Sequence, residues 1–311
     1  MTEALVSVSG LTHLFSPGRG IEDVTFAVEA GEVVGYLGPN GAGKTITLEH
    51  LMGRLRPQRG TGRIAGMDAF VHAAQVHRQA GYLSAEVRLF AHLTGRAHLE
   101  LAARVRGLTP LGPYARRLAD RFEADLDTPF GRLSRGRRQV VGLIVAFAHD
   151  PAVMLLDEPS TGLDPVMEDR FVDWIVEERG RGKAILMSSH RLDEVERTAD
   201  LVCLVRGGRV VHASSLDALR AARRRRYRLD FAAPEAAAAF AARLAGMAGI
   251  ETARRGASVT VEVKGDLAAV ARAAGEQPLL SWKDLTHDLE DALRRLTGSP
   301  GEPMAPNGGV L

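Results

Sequence analysis

Cysteine and lysine are scarce in this chain of 311 residues. Cys203 is the single cysteine, so no disulfide can form within the chain, and we expect a reducing, cytoplasmic setting. The only lysines are Lys44, Lys183, Lys264 and Lys283, so arginine carries most of the positive charge. The net charge is only +2, which argues against a protein that binds nucleic acid over its whole surface.

Long hydrophobic runs are also missing. The longest, residues 140–148, is about half the length that a bilayer requires, and the first residues lack the pattern of a signal peptide. We therefore expect any membrane role to depend on a partner. A hydrophobic fraction of 45% still allows a sizeable core, in one large domain or two medium ones.

One stretch is typical of a phosphate-binding loop. An apolar run at 33–37 predicts a strand, residues 46–52 predict a helix, and the pattern Gly-x-x-x-x-Gly-Lys-Thr lies between them. Its glycines let backbone N–H groups surround phosphate oxygens, while the lysine reaches the β- and γ-phosphates and the threonine hydroxyl binds Mg²⁺. The predicted loop consists of Gly38, Pro39, Asn40, Gly41, Ala42, Gly43, Lys44 and Thr45.

Acidic residues follow a second buried strand. The run 152–156 ends in Asp157 and Glu158, and ligands of open α/β sheets lie at the carboxyl ends of strands. We therefore predict that Asp157 coordinates Mg²⁺ and that Glu158 activates water, although two acids here could also simply begin a solvated loop. His190 follows the strand at 184–188 and could converge on the same γ-phosphate.

Two further segments allow alternative interpretations. Ser134 and Gly136 open a helix that runs to about residue 148, which could be an ordinary capped helix or a second anion site at a helix N-terminus. Phe15 is predicted in the turn between strands at 4–8 and 24–28. It could stack on an adenine ring or belong to the core, and the local pattern alone favours the core.

The pattern predicts two domains and a tail. Residues 1–222 form the first domain, in which about 86–150 lack a strand pattern and are interpreted as a helical insert. An arginine-rich run at 220–228 marks the boundary, as a solvated linker or, alternatively, a contact for anionic lipid headgroups. Residues 226–297 alternate strands and helices in an order that can form a ferredoxin-like sandwich, and 298–311 are expected to be disordered.

Residues 4–220 resemble the ATP-binding subunit of an ABC transporter. The resemblance rests on the phosphate loop, on a signature at 133–137 (Leu-Ser-Arg-Gly-Arg against the usual Leu-Ser-Gly-Gly-Gln), on Asp157-Glu158, on a D-loop at 161–164 and on His190 as the switch histidine. It implies an α/β fold of the ABC-type P-loop ATPase, with a mixed sheet core, an antiparallel β part and a helical subdomain. A small α+β accessory domain follows.

The resemblance also implies a mechanism and cofactors, ATP and Mg²⁺. Two copies would pair head to tail, so that each ATP lies between the phosphate loop of one copy and Ser134 and Gly136 of the other. Phe15 would stack on adenine, Asp164 would act across the interface, and His190 would contact the γ-phosphate. Catalysis would come mainly from positioning and charge neutralisation by Lys44, Glu158 and His190.

The sequence departs from the family pattern at several positions. Ala85 stands where the family usually has a metal-sensing glutamine, so metal sensing by this loop is in question. Ile46 replaces a hydroxyl that many members direct to the α-phosphate, so only its backbone N–H could bind there. Arg135 and Arg137 replace glycine and glutamine.

The resemblance to drug- and antibiotic-exporter ATPases implies export of a small molecule through a separate membrane permease. The permease would seat a short helix near residues 84–105, which would hold the protein at the cytoplasmic face of the membrane. No nucleic acid and no directly bound transported molecule are expected. The alternatives are the ATPase of an importer, with a regulatory C-terminal domain, and a non-transport ABC protein that acts on ribosomes or DNA.

Overall fold

The computed structural model describes residues 4–108, 112–222, 225–264 and 267–285. The chain divides into two compact units, the first ending at Leu216 and the second beginning at Asp217. Each unit has its own apolar core. The predicted domain limits 1–222 and 226–297 remain predictions. The predicted helix at 285–296, beyond its first residue, and the tail at 298–311 lie outside the described residues.

An antiparallel sheet contains the first strands of the chain, in the order β2-β1-β4-β5. The strands are β1 Val6–Ser16, β2 Arg19–Val28, β4 Arg59–Ile64 and β5 Met67–Asp68. Pairing of β1 with β2 continues to Ser16 opposite Arg19, so only two residues connect the strands. The prediction that Phe15 lies in a turn is therefore wrong, because hydrogen bonding of the hairpin extends past it and leaves Phe15 within β1.

A second sheet forms the centre of the first unit, in the order β10-β9-β3-β8-β7-β6. Strands β9, β3, β8, β7 and β6 are parallel and β10 is antiparallel to β9. Every residue of β3, β7 and β8 is buried, as their continuous apolar runs predict. The six strands are β3 Val33–Leu37, β6 Ala80–Leu83, β7 Val153–Asp157, β8 Ala184–Ser189, β9 Leu201–Arg206 and β10 Arg209–Ser215.

Helices connect several strands of the first unit. Helix α5 contains the longest hydrophobic run of the chain apart from its last residue, and most of that run is buried in the protein, which explains the run without a membrane. Within the described ranges, no helix is long and apolar enough to cross a bilayer. The helices are α1 Lys44–Leu51, α2 Ala73–Gln79, α5 Arg135–Phe147, α6 Pro165–Gly180 and α7 Leu192–Thr198. A further helix, α8 Leu216–Ala222, spans the division between the two units.

The predicted helical insert contains α3 Gly95–Arg106, α4 Pro113–Arg121 and a short 3-10 helix at Phe130–Arg132. Apart from residues 109–111, which are not described, no strand occurs between 86 and 150. Thr94 caps α3 by accepting a hydrogen bond from the backbone of Ala97 at 3.2 Å.

A buried ion network joins this helical part to the sheet. Glu178 of α6 is fully buried and accepts hydrogen bonds from Arg117 of α4 at 3.1 Å and from Arg181 at 2.6 Å. Lys183 lies 2.8 Å from the same carboxylate, just before β8. Asp150 is the second acid, 2.5 Å from Lys183 and 2.6 Å from Arg181. The network therefore connects α4, α6 and the start of β8.

The second unit is a four-stranded antiparallel sheet in the order β12-β13-β11-β14. Counted within the unit this order is 2-3-1-4, which is the predicted ferredoxin-like arrangement. Helices α9 and α10 contribute Phe240 and Val270 to its core. The elements are β11 Arg225–Phe231, α9 Pro234–Leu244, β12 Ile250–Arg255, β13 Ser258–Val263, α10 Ala268–Gly275 and β14 Leu279–Asp284.

Candidate functional site

The phosphate loop connects β3 to α1 at the carboxyl edge of the parallel sheet. Gly43 has φ +101°, and a Cβ placed there would lie 2.5 Å from Cγ2 of Ile21. Only glycine fits this position, because the left-handed backbone and the packing both exclude a side chain. The loop that the sequence predicts is therefore formed, and α1 begins at Lys44 directly after it.

Lys44 is held inside this loop. Its side chain is 5% exposed, and the ammonium group donates to the carbonyl oxygens of Gly38 at 2.7 Å and Pro39 at 3.2 Å. It also lies 3.3 Å from Oε1 of Glu158. The lysine from α1 and the acid from the end of β7 are thus brought into contact, although they are far apart in the chain.

Thr45 and Asp157, the predicted Mg²⁺ ligands, also meet. The Thr45 hydroxyl donates to Oδ2 of Asp157 at 2.7 Å, and the carboxylate is almost completely buried. Hydroxyl and carboxylate oxygens are the donors that Mg²⁺ takes from a protein when phosphate supplies further ligands. The two side chains fit a magnesium ion bound beside a triphosphate.

The backbone of Glu158 has an unusual conformation that is held by hydrogen bonds. Its φ is +46°, unusual for a residue with a side chain, and its N–H donates to both the carbonyl and the hydroxyl oxygen of Ser188 at 3.1 Å. Oε2 lies 3.2 Å from Nδ1 of His190. The structure therefore brings the three predicted catalytic side chains, Lys44, Glu158 and His190, into one group.

Ser188 is a residue of the site that the sequence analysis missed. Its hydroxyl donates to Oδ1 of Asp157 at 2.5 Å and, as stated, accepts from the backbone of Glu158. It thereby orients both acids. The available signal was its position at the carboxyl end of β8, two residues before His190, which is where sheet ligands gather.

A cleft of about 720 Å³ opens beside the loop. Predicted nucleotide-binding residues form most of its wall, together with Ala85, Arg19 and Gly20, of which Arg19 and Gly20 were not predicted. The lining residues are Phe15, Arg19, Gly20, Asn40, Gly41, Ala42, Gly43, Lys44, Thr45, Ile46, Ala85 and Glu158.

Phe15 lies on the wall of this cleft and not in the core. Its side chain is 57% exposed, so the interpretation as a core residue is wrong, while its contact with adenine stays a prediction. The His13 ring packs against it at 4.6 Å between centroids, and His50 lies 5.0 Å behind His13. Burial, and then the neighbouring His13, lower the pKa of His50 to about 4.

Ser134, Gly136 and Asp164 do not line the cleft. Ser134 caps α5 and Asp164 caps α6, each accepting from a backbone N–H three residues later. The two helix starts lie against each other, because a Cβ at Gly136 would be 2.6 Å from the carbonyl oxygen of Gly162. The structure therefore groups these predicted residues together, apart from the cleft of their own chain.

Comparison with known proteins decides the family. Residues 21–161 match the model of the ABC transporter family. The chain is 35% identical to the ABC transporter ATP-binding protein NatA of Bacillus subtilis over 65% of its own length and 84% of that protein. The chain belongs to the ABC transporter ATP-binding family. Its function as an ABC transporter ATPase is thereby established, as is the fold class predicted from sequence.

Other relatives of this ABC ATPase have names that refer to multidrug transport or to export. It is 32% identical to a probable multidrug ABC transporter ATP-binding protein, YbhF, of Escherichia coli over 67% of this chain and 37% of YbhF. It is also 32% identical to a Nod factor export ATP-binding protein of Ralstonia nicotianae over 67% of this chain and 66% of that protein.

Solved structures show the same fold. A structure of an ATP-binding subunit of an ABC transporter, 33% identical, superposes with a TM-score of 0.64 over 70% of this chain and 92% of that one. A dimeric ATP-binding cassette bound to ADP and Pi, 19% identical, gives 0.61 over 68% of this chain and 98% of that one, which supports the fold alone.

Proposed function

We propose that this ABC ATPase works as a head-to-tail pair that binds two ATP and drives export of a drug- or antibiotic-like small molecule through a separate permease. The observation that carries the pairing is the separation of Ser134, Gly136 and Asp164 from the cleft of their own chain. A signature on a different surface from the phosphate loop can reach a nucleotide only in another copy. The relatives named for multidrug and Nod factor export support the direction of transport.

In this proposal each residue of the cleft has a separate role in ATP binding or hydrolysis. Phe15 holds the base, and the amide groups of the loop together with Lys44 hold the phosphates. Glu158 orients a water for attack on the γ-phosphorus and accepts its proton, and the bond to the β-phosphate oxygen breaks to give ADP and phosphate. His190, 3.2 Å from Glu158, holds the γ-phosphate in line with that water.

Thr45 and Asp157 would hold Mg²⁺ at the phosphates, where the ion supplies charge neutralisation. Their mutual hydrogen bond places the two ligand oxygens 2.7 Å apart. Ser188 keeps the buried Asp157 carboxylate in this orientation.

The pairing is tested with the variant Glu158→Gln, which keeps the size of the side chain but cannot accept the proton. With ATP and Mg²⁺ we expect it to bind nucleotide, to lose turnover and to accumulate as a dimer in sedimentation velocity or size-exclusion experiments. The same variant with ADP is the control and should remain monomeric.

A second variant separates the two halves of the proposal. Adding Ser134→Arg to Glu158→Gln should abolish the dimer while ATP binding stays unchanged, since Ser134 lies outside its own cleft. A Glu158→Gln protein that binds ATP but stays monomeric would contradict the pairing. Export itself is tested by co-purification with a membrane permease; co-purification with ribosomes or DNA instead would contradict the transport role.

A further inference from the structure

The cleft contains a cation that the known ABC motifs do not account for. Among the residues that line it, Lys44 and Arg19 are the two with permanently cationic side chains. Lys44 already contacts two loop carbonyls and Glu158. Within the part of the chain that the structure describes, the Arg19 side chain has neither a hydrogen-bond acceptor nor a carboxylate partner. Its guanidinium is therefore available to an anionic ligand.

The backbone around Arg19 is fixed against the phosphate loop. The carbonyl oxygen of Gly20 would lie 3.3 Å from a Cβ at Gly43 and 2.3 Å from a Cβ at Gly208. Gly208 in turn donates its N–H to the carbonyl of Ala42 at 3.1 Å. Because these segments touch without room for side chains, the start of β2 packs directly against the loop, with Arg19 at the edge of the cleft.

The position along the cleft indicates which part of a nucleotide Arg19 meets. Lys44, Glu158 and His190 occupy the end where the terminal phosphate reacts. Phe15, four residues before Arg19 across the tip of the hairpin, marks the end for the base. Arg19 lines the same cleft, opposite Ser16 and next to Gly20, whose carbonyl oxygen would lie 3.3 Å from a Cβ at Gly43. The phosphate closest to the base-binding end is therefore the one within its reach.

The side chains that line the cleft also favour a contact between Arg19 and the α-phosphate. Ile46 lines the cleft without a hydroxyl group, and Ala85 lines it without an amide. The side chains of this wall therefore offer no neutral donor at these two positions, whereas a guanidinium makes paired, charge-assisted hydrogen bonds to phosphate oxygens. We propose that Arg19 binds the α-phosphate, the group that ATP, ADP and AMP share.

Competition binding on the full chain tests this assignment. ATP, ADP, AMP and adenosine are each used to displace a fluorescent ATP analogue from the wild type and from Arg19→Ala. We expect the variant to bind the three phosphorylated ligands about five-fold more weakly, with adenosine unchanged, because an exposed charge-assisted contact is lost. The difference should shrink at about 1 M salt, where exposed charges are screened.

Matched variants make the result specific. Arg19→Lys should retain part of the affinity, and Arg78→Ala removes an exposed arginine of α2, outside the cleft, and should bind like wild type. Lys44→Ala should weaken the binding of ATP and ADP but leave the binding of AMP nearly unaffected, because AMP lacks the β- and γ-phosphates that Lys44 contacts.

Three outcomes would overturn the assignment: unchanged affinity for all ligands, an equal loss for adenosine, or a loss confined to ATP. The assay measures one chain and does not depend on pairing, so its result is distinguishable from failure of the head-to-tail dimer. An unfolding midpoint equal to that of the wild type, measured without nucleotide, excludes a general loss of structure.

Discussion

Glu178 allows a quantitative test of what holds the helical part of this ATPase to its sheet. The substitution Glu178→Gln keeps the shape of the side chain and removes its charge. The carboxylate is fully buried, with Arg117, Arg181 and Lys183 all within 3.1 Å. Without it, Lys183, itself only 7% exposed, keeps a single ion-pair partner, Asp150.

The size of the effect follows from this geometry. Removing one partner of a buried ion pair costs about 3–5 kcal/mol, because the remaining charges stay desolvated without compensation. Asp150 still balances Lys183 and Arg181, so we expect the lower end, about 3 kcal/mol. For a unit of roughly 200 residues this corresponds to a fall in melting temperature of about 6–12 °C.

The neighbouring residue is a matched control. Glu177 lies on the same helix, also pairs with Arg117, at 3.2 Å, and with Arg121, but is 36% exposed. Glu177→Gln should therefore cost less than about 1 kcal/mol, since exposed pairs are screened by water. The two substitutions remove the same charge from adjacent positions and differ chiefly in burial.

Trp174 reports the unfolding of the first unit. It is 1% exposed and belongs to the same helix as Glu178. Replacing Trp282, in the second unit, by Phe leaves Trp174 as the only tryptophan of the chain. Urea unfolding followed by fluorescence then gives the stability of each variant in the full-length protein. Equal, small losses for Glu177→Gln and Glu178→Gln would refute the argument from burial.

Two further predictions concern the nucleotide site and its surroundings. Ala85→Gln adds an amide to the cleft wall and should shift the Mg²⁺ dependence of ATP hydrolysis; a profile identical to wild type would remove the idea that Ala85 alters metal sensing. His50 has a folded pKa of about 4 against about 6.5 when unfolded. The unfolded chain therefore binds more protons between these values, and acidification from pH 6.5 to 4 costs up to about 3 kcal/mol of stability. In His50→Leu, the urea midpoint should therefore depend less on pH across this range, although the similar contribution of His149 remains. A pH dependence equal to that of the wild type would contradict this prediction.

The local elements of the site could be predicted because their causes are local. The loop at 38–45 needs glycines at set positions, whatever lies around it, and buried parallel strands such as β7 appear as unbroken apolar runs. The acids at 157–158 and His190 follow such strands directly. Since parallel strands present their carboxyl ends at one edge, the sequence alone predicted that these side chains would meet.

Contacts between distant segments could not be predicted in this way. The order β10-β9-β3-β8-β7-β6 is not the order of the chain, and it places β3, with the phosphate loop, next to β8. The register of β7 on β8 then pairs Asp157 with Ser188. The residues around Phe15 predict a turn and a core position, and both predictions are wrong, because the immediate neighbours encode neither the length of the hairpin nor the exposure of the ring.

The sequence by itself thus determined the kind of nucleotide chemistry and the residues that carry it, since a phosphate loop and strand-end acids are short patterns of adjacent residues. The tertiary structure decided which residues share a space. It placed the signature serine apart from the cleft of its own chain, buried Glu178 among three cations, and set Arg19 beside the phosphate loop. Such neighbourhoods depend on strand order and helix packing, which no single stretch of sequence contains.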